Sequence, residues 1–199
     1  MKNRIIKLDN DNLFFQMQTG YKFSSDSLIL YDYIKNIKFQ KIIELGCGDG
    51  IISILYALKH PNSEIIGLDI NQDFLDNFKK TIEYNNIKNI KIIKADLVEY
   101  SIYSQEKFDL VIFNPPYYNL SEGKISANLT TLISKHQIFF TEYEMIEAAA
   151  RLTDKRFIII YPLYKITTAF IDLFKKNNFQ NINIIQTLNK RFKIIDAKK

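Results

Sequence analysis

The sequence predicts an α/β fold: a mostly parallel, seven-stranded sheet with helices on both faces and an antiparallel hairpin at one edge. Three observations carry this expectation. From residue 41 onward, short runs rich in Ile, Val and Phe alternate with longer amphipathic segments, the grammar of a parallel sheet. Those runs are apolar at nearly every position instead of every second one, as strands covered by helices on both faces must be. A glycine-rich turn joins the first run to the segment behind it, as in Rossmann-like sheets.

The expected strands are KIIELG (41–46), EIIGLDI (64–70), IKIIKAD (90–96), FDLVIF (108–113), RFIIIY (156–161) and NINIIQ (181–186). Helices are expected over 50–60, 72–86, 137–152 and 164–177. Pro61 stops the first of these; Asn71 and Asp73 suit the start of the second, where Phe74, Phe78 and Ile82 recur on one face. The stretch NINIIQTLNKRFKIID reads as two strand pieces around Leu188 to Lys190, which gives the closing hairpin. Ahead of the first core strand, GYKFSSDSLILYDYIKNI offers Ser24 or Ser25 as a helix cap with Leu28, Tyr31 and Ile34 on one face. That helix is expected to lie across the C-terminal edge of the sheet or against one face. Without a repeat, low-complexity tract or linker, residues 1–199 are expected to be one domain, with an extension (1–40) before a Rossmann-like core (41–199).

With 47% hydrophobic, 25% charged and 14% aromatic residues, the chain is neither disordered, collagen-like nor fibrous. A single cysteine, Cys47, with only His60 and His136 beside it, provides neither a disulfide framework nor a zinc cluster, so no metal and a cytoplasmic location are expected. MKNRIIKLDNDNLFF lacks the apolar run of a signal peptide, and no stretch approaches the length of a transmembrane helix, so no membrane partner is expected. The net charge of +5 is unevenly spread: residues 1–150 carry 16 Lys/Arg against 19 Asp/Glu, whereas residues 151–199 carry 11 against 3. The basic last quarter, with Lys190 and Arg191 in it, is either a solvated terminus or a surface that holds a polyanion.

Two constellations carry chemistry. In the first, Glu44-Leu45-Gly46-Cys47-Gly48-Asp49-Gly50 leads from strand to helix, and Asp69 ends the next strand 25 residues after Glu44, where a carboxylate reaches ribose hydroxyls. The turn lacks the third glycine of a dinucleotide fingerprint and the Lys-Ser/Thr of a triphosphate loop, and its acids disfavour an anion. A ligand with positive charge and no phosphate suits it better. Cys47 is read as a small filler of the loop, since no base accompanies it.

The second constellation is Asn114-Pro115-Pro116-Tyr117 at the end of FDLVIF. Two prolines make a rigid turn without backbone donors. The Asn114 side chain and the Pro115 carbonyl can accept hydrogen bonds from a planar amino group while Tyr117 stacks on its plane. Such an amine is a poor nucleophile, and paired acceptors that draw on its hydrogens restore its lone pair.

The first motif resembles the E/D-x-G-x-G-x-G segment of class I S-adenosylmethionine-dependent methyltransferases. That resemblance implies the class I methyltransferase fold and cofactor contacts from Glu44, Gly46, Gly48, Asp69, Ile70 and Asp96, the last on the adenine amino group. Asn-Pro-Pro-Tyr resembles the signature of enzymes that methylate exocyclic amino nitrogens of bases or the glutamine amide of release factors. With GYKFSSDSLIL and ISKHQIFF, the chain resembles the bacterial tRNA(Val) adenosine-37 N6-methyltransferases, although Lys135 and Gln137 stand where that family usually has Arg and Glu. The resemblance implies that Ser24 and Asp26 close over the cofactor and that Asn114 to Tyr117 are catalytic. The polar stretch Tyr118 to Lys135 reads as a substrate loop, in which Lys124 and Lys135 could meet phosphates, as Lys190 and Arg191 could at the C-terminal end. The expected activity is N6-methylation of adenine in RNA, above all tRNA, by a monomer. The alternatives are N-methylation of a protein glutamine or of rRNA or DNA bases, and, in another class, a non-catalytic nucleic-acid-binding module. Only about forty residues precede the glycine turn, which speaks against the helical recognition domain of glutamine methyltransferases.

Overall fold

The computed structural model describes residues 3–17, 25–117 and 140–199. A hairpin of β1 (Asn3–Lys7) and β2 (Leu13–Met17) comes first, followed by α1 (Ser25–Ile34). The core then runs β3 (Lys41–Leu45), α2 (Ile51–Lys59), β4 (Glu64–Asp69), α3 (Gln72–Tyr84), β5 (Ile90–Lys94), α4 (Leu97–Tyr103) and β6 (Phe108–Phe113). It closes with α5 (Glu142–Leu152), β7 (Thr153–Pro162), α6 (Thr168–Lys176), β8 (Asn181–Gln186) and β9 (Phe192–Lys198). The main sheet has seven strands in the order β5-β4-β3-β6-β7-β9-β8. The first five are parallel, and β9 inserts antiparallel between β7 and β8, so the expected class and edge hairpin both hold.

The continuous apolar runs do what their composition requires. Along β6 and β7, Val111, Phe113, Phe157 and Ile159 join one core cluster with Met145 and Ala149 of α5 and Phe170 and Phe174 of α6. Their neighbours Leu110, Ile112, Ile158 and Ile160 join the other, with Leu30 and Ile34 of α1, Ile52 and Ile54 of α2 and Phe78 of α3. Each such residue buried stabilises the fold by about 1.5–3 kcal/mol before entropic costs, so both faces contribute. The helix starts are capped as the sequence suggests or better: the Asn71 side chain accepts from Asp73 N at 2.9 Å, and Thr141 with Glu144 forms a capping box.

Two elements go beyond the sequence expectation. The N-terminal hairpin docks edge-on to α3: Leu13 N donates to Asn85 Oδ1 at 2.8 Å, Phe15 N donates to Thr81 Oγ1 at 3.1 Å, and Phe15 meets the Tyr84 ring edge-to-face. Helix α4 is short and rich in aromatic and β-branched residues, so its pattern carries no helical signal; Asp96 starts it by accepting from Val98 N and Glu99 N. The predicted ends of the strands at 64–70 and 90–96 also retract, to Asp69 and Lys94. Ile70 and Asp96 consequently lie in the turns beyond their strands.

Candidate active site

Strands β3, β4, β5 and β6 run parallel, so the turns after them converge on one edge of the sheet, where the order of strand addition also reverses, with β4 on one side of β3 and β6 on the other. Ligands of open α/β sheets bind at such a switch point. Here the turns enclose a cleft with about 970 Å³ of empty space, its open mouth included. Its wall contains Glu44 near the end of β3 with Gly46 and Gly48 beyond it, Asp69 at the end of β4 with Ile70 beyond it, Asp96 after β5, and Asn114 and Pro116 after β6. The structure thus brings together residues that the sequence separates by as many as 72 positions.

The three turn glycines have different reasons to be glycine. All adopt positive φ, +57° at Gly46 and Gly48 and +81° at Gly50. A Cβ at Gly46 would stand 2.9 Å from the Phe113 ring, and one at Gly50 would meet Phe78 at 2.4 Å. Those two let the turn pack on the core. Gly48 has nothing within 4 Å of its would-be Cβ, although it lines the cleft. Its freedom therefore serves a ligand that approaches the backbone. Gly48→Ala is expected to weaken cofactor binding by about tenfold or more while the unfolding free energy falls by only about 1 kcal/mol from the left-handed backbone. Calorimetric titration beside thermal denaturation checks this, and equal affinity in both proteins would overturn it.

Acidic groups surround the turn. Asp69 accepts from Gly48 N and Asn71 N, each at 2.8 Å, so its carboxylate ties the glycine turn to the end of β4. Burial raises its pKa. Glu44 accepts from the backbone and hydroxyl of Ser53 at the start of α2, and burial pushes its pKa up to about 7, with the nearby Asp69 charge adding to the effect. Desolvation of two carboxylates beside one cleft favours a cationic ligand, which would lower both pKa values. Asp96 uses Oδ1 to cap α4 while it lines the cleft. Cys47 is buried, and desolvation raises its thiol pKa, with Asp69 and Glu44 acting in the same sense. A thiol held protonated in this way is no nucleophile, in accord with its reading as filler.

At the second constellation, Asn114 Nδ2 donates to Ser27 Oγ at 2.9 Å, and the Tyr117 hydroxyl donates to Asn114 Oδ1. Pro115 is buried under the turn. Tyr117 is only 8% exposed, and its ring lies 5.2 Å from that of Phe192 and 6.0 Å from that of Tyr161. It does not line the cleft, unlike the stacking surface the sequence suggests, because aromatic residues of β7 and β9 give its ring a buried seat. Asp26 also departs from expectation. Rather than reaching the cleft wall, it is 3% exposed beneath the turn, in hydrogen-bond contact with Tyr117 and Asn114.

Ser24, Lys124 and Lys135 lie outside the described residues, as does His136. Lys190 and Arg191 are exposed on the tip between β8 and β9. Because β9 runs antiparallel to β7, that tip stands at the same sheet edge as the cleft: Phe192 touches Tyr117, and Leu163 N donates to Arg191 O at 2.8 Å. Sequence reasoning passed over Phe14 of β2, Ser27 of α1 and Phe140, all of which line the cleft. The aromatic-rich run Leu13-Phe14-Phe15 carries a strand signal that points to the first; Ser27 has none beyond its place in a helix start. Among the described residues no group of His, Cys, Asp or Glu could hold a metal ion, and no helix is long and apolar enough to cross a membrane.

Comparison with known proteins agrees with this geometry. The profile of the methyltransferase small domain matches residues 19–142, more than half of the chain. The chain belongs to that family. It is 29% identical over 175 residues to the release factor glutamine methyltransferase of Francisella tularensis, a match that covers 84% of this chain and 61% of that one. It is 36% identical over 118 residues to a bifunctional methyltransferase of Rickettsia typhi, covering 59% and 22%. The chain therefore spans less than two thirds of the length of these relatives. In fold it is similar to the magnesium protoporphyrin IX methyltransferase of Synechocystis with bound S-adenosylmethionine, at a TM-score of 0.60 and 19% identity over 88% of this chain and 78% of that one. This member of the methyltransferase small domain family shares the fold of S-adenosylmethionine-dependent methyltransferases. The open face of Gly48 and the buried acids fit that cofactor, which is cationic and carries no phosphate.

Proposed function

We propose that the chain methylates a planar amino group, one whose nitrogen lone pair is delocalised into a carbonyl or an aromatic ring. The observation that carries this reading is the Asn114 turn: an amide at the rim of the cleft, held by Ser27 through Nδ2 so that its oxygen is the acceptor. When bound, S-adenosylmethionine supplies a sulfonium methyl: the amine's lone pair forms the N–C bond as the C–S bond breaks, the positive charge passes to nitrogen, and a proton then goes to water. Asp69 and Asp96 are the groups that would hold its ribose and adenine, with Glu44, Gly46, Gly48 and Ile70 lining the same cleft. Asn114 Oδ1 and the Pro115 carbonyl receive the amine hydrogens, which favours the sp3 nitrogen of the transition state. Tyr117 would have to leave its seat against Phe192 to cover the substrate plane.

The glutamine carboxamide of a protein is the first substrate to test, because relatives such as that of Francisella tularensis are named for it. A second reading, adenine N6 in RNA, and tRNA above all, draws on the basic hairpin tip beside Tyr117. Incubation with labelled cofactor, bulk tRNA and release factor separates the two. Methylated RNA should come with a steep loss of efficiency as salt rises, and charge reversal at Lys190 and Arg191 should flatten that slope by about two counterions. Methylated protein with weak salt dependence supports glutamine. Labelling of neither, with cofactor binding intact, overturns both.

A further inference from the structure

The first turn of α1 packs against the catalytic turn, and its contacts are specific. Ser27, 4% exposed, accepts a hydrogen bond from Asn114 Nδ2 at 2.9 Å. The Asp26 carboxylate touches the same amide and the Tyr117 hydroxyl, and is itself held by Ser27 N, which donates to its Oδ1 at 2.9 Å. An asparagine amide has two donor hydrogens and one acceptor oxygen, and can present either end. With Asp26 on its nitrogen side and the Tyr117 hydroxyl donating to its oxygen, the reverse orientation would set Oδ1 against a buried carboxylate, while the Ser27 hydroxyl holds whichever end faces it.

We infer that Asp26 and Ser27 are positioning residues that hold the nitrogen end of the Asn114 amide, so that Oδ1, which accepts from the Tyr117 hydroxyl in this structure, is the end left to accept from the substrate once Tyr117 moves, and that the Asp26 charge strengthens this oxygen as an acceptor. The inference rests on the planar-amine reading of the site. It adds a specificity: a locked acceptor selects a substrate that donates hydrogens, an amine, and rejects one that offers a carbonyl at the same place. It also assigns the N-terminal extension a part in turnover. A carboxylate polarises the Nδ2–H bonds and raises electron density on Oδ1, in surroundings where burial keeps the interaction from being screened.

Asp26→Asn and Ser27→Ala, made in the full chain, test this, with Ser27→Thr as the conservative partner. The first two should lower kcat by about tenfold or more while KM for the amine substrate and calorimetric affinity for S-adenosylmethionine stay within about twofold. Ser27→Thr should recover most of the lost turnover. A readout independent of activity is the Asn114 side-chain amide in nitrogen-15 spectra: its two protons should be well separated and slow to exchange in the native protein, and should converge in Ser27→Ala. Unchanged kcat in Asp26→Asn and Ser27→Ala, or loss of cofactor affinity in parallel with kcat, overturns the assignment, because a structural contact alone would damage both together. If no planar amine of any kind is methylated but the amide signals behave as stated, the reading of the reaction fails and the locked amide stands.

Discussion

Asn114→Ala should lower turnover by on the order of a hundredfold or more, the cost of removing one preorganised polar group from a transition state. The side chain sits where β6 ends at the edge of the cleft, its nitrogen tied to Ser27 and its oxygen accepting from the Tyr117 hydroxyl, so the oxygen is the acceptor proposed for the substrate. Alanine removes that acceptor and the amide contacts of Ser27 and Asp26, while Asp26 keeps Ser27 N and Tyr117. The cofactor groups on β3, β4 and β5 are untouched, so its affinity should change far less than the rate. Single-turnover methyl transfer reads the first quantity and calorimetry the second. Turnover that survives the substitution would reduce Asn114 to a turn residue and would take the planar-amine reading with it.

How much of this was legible beforehand depends on whether a signal is local. FDLVIF is buried on both faces, and its period alone places it in the sheet centre; the structure puts β6 between β3 and β7. Asp69 and Asn114 stand at strand ends, so their convergence follows from a parallel sheet as soon as the strands are assigned. Asp26 did not follow in this way. Its place in a helix start reads equally as a first-turn acid, and only the packing of α1 on the sheet brings it to Asn114. Tyr117 shows the same limit, since its seat is made by Tyr161 and Phe192, which arrive from β7 and β9. The hairpin of β1 and β2 was within reach: IIK and LFF flank Asp9 to Asn12, and this turn residue pattern is one that joins antiparallel strands. What the sequence could not contain was the docking of that hairpin on Thr81 and Asn85, which places Phe14 at the cleft. Substrate choice is less legible still. The preference for RNA, drawn from the resemblance to the tRNA(Val) adenosine-37 family and from the basic last quarter, moves to second place once relatives named for glutamine are set beside it, because both substrates present a planar amino group to the same turn.

Asp69→Ala should weaken S-adenosylmethionine binding by about 1–3 kcal/mol, the range of hydrogen bonds to a charged group. Two contributions lie within that figure. Asp69 is proposed to accept from the ribose hydroxyls, and it also accepts from Gly48 N and Asn71 N, so its loss loosens the turn as well as the sugar contact. A cycle with a cofactor analogue lacking one ribose hydroxyl separates them, because two groups in contact are not additive. The native protein should bind the deoxy analogue about tenfold more weakly than the parent, and Asp69→Ala should bind the two about equally. Full discrimination retained by the variant would mean that Asp69 shapes the turn and another group reads the ribose. The sign of the pH dependence follows from the same carboxylate. Burial raises its pKa in the free protein, so falling pH protonates it and removes its charge from the cationic ligand; affinity should decline toward acid in the native protein and decline less in the variant.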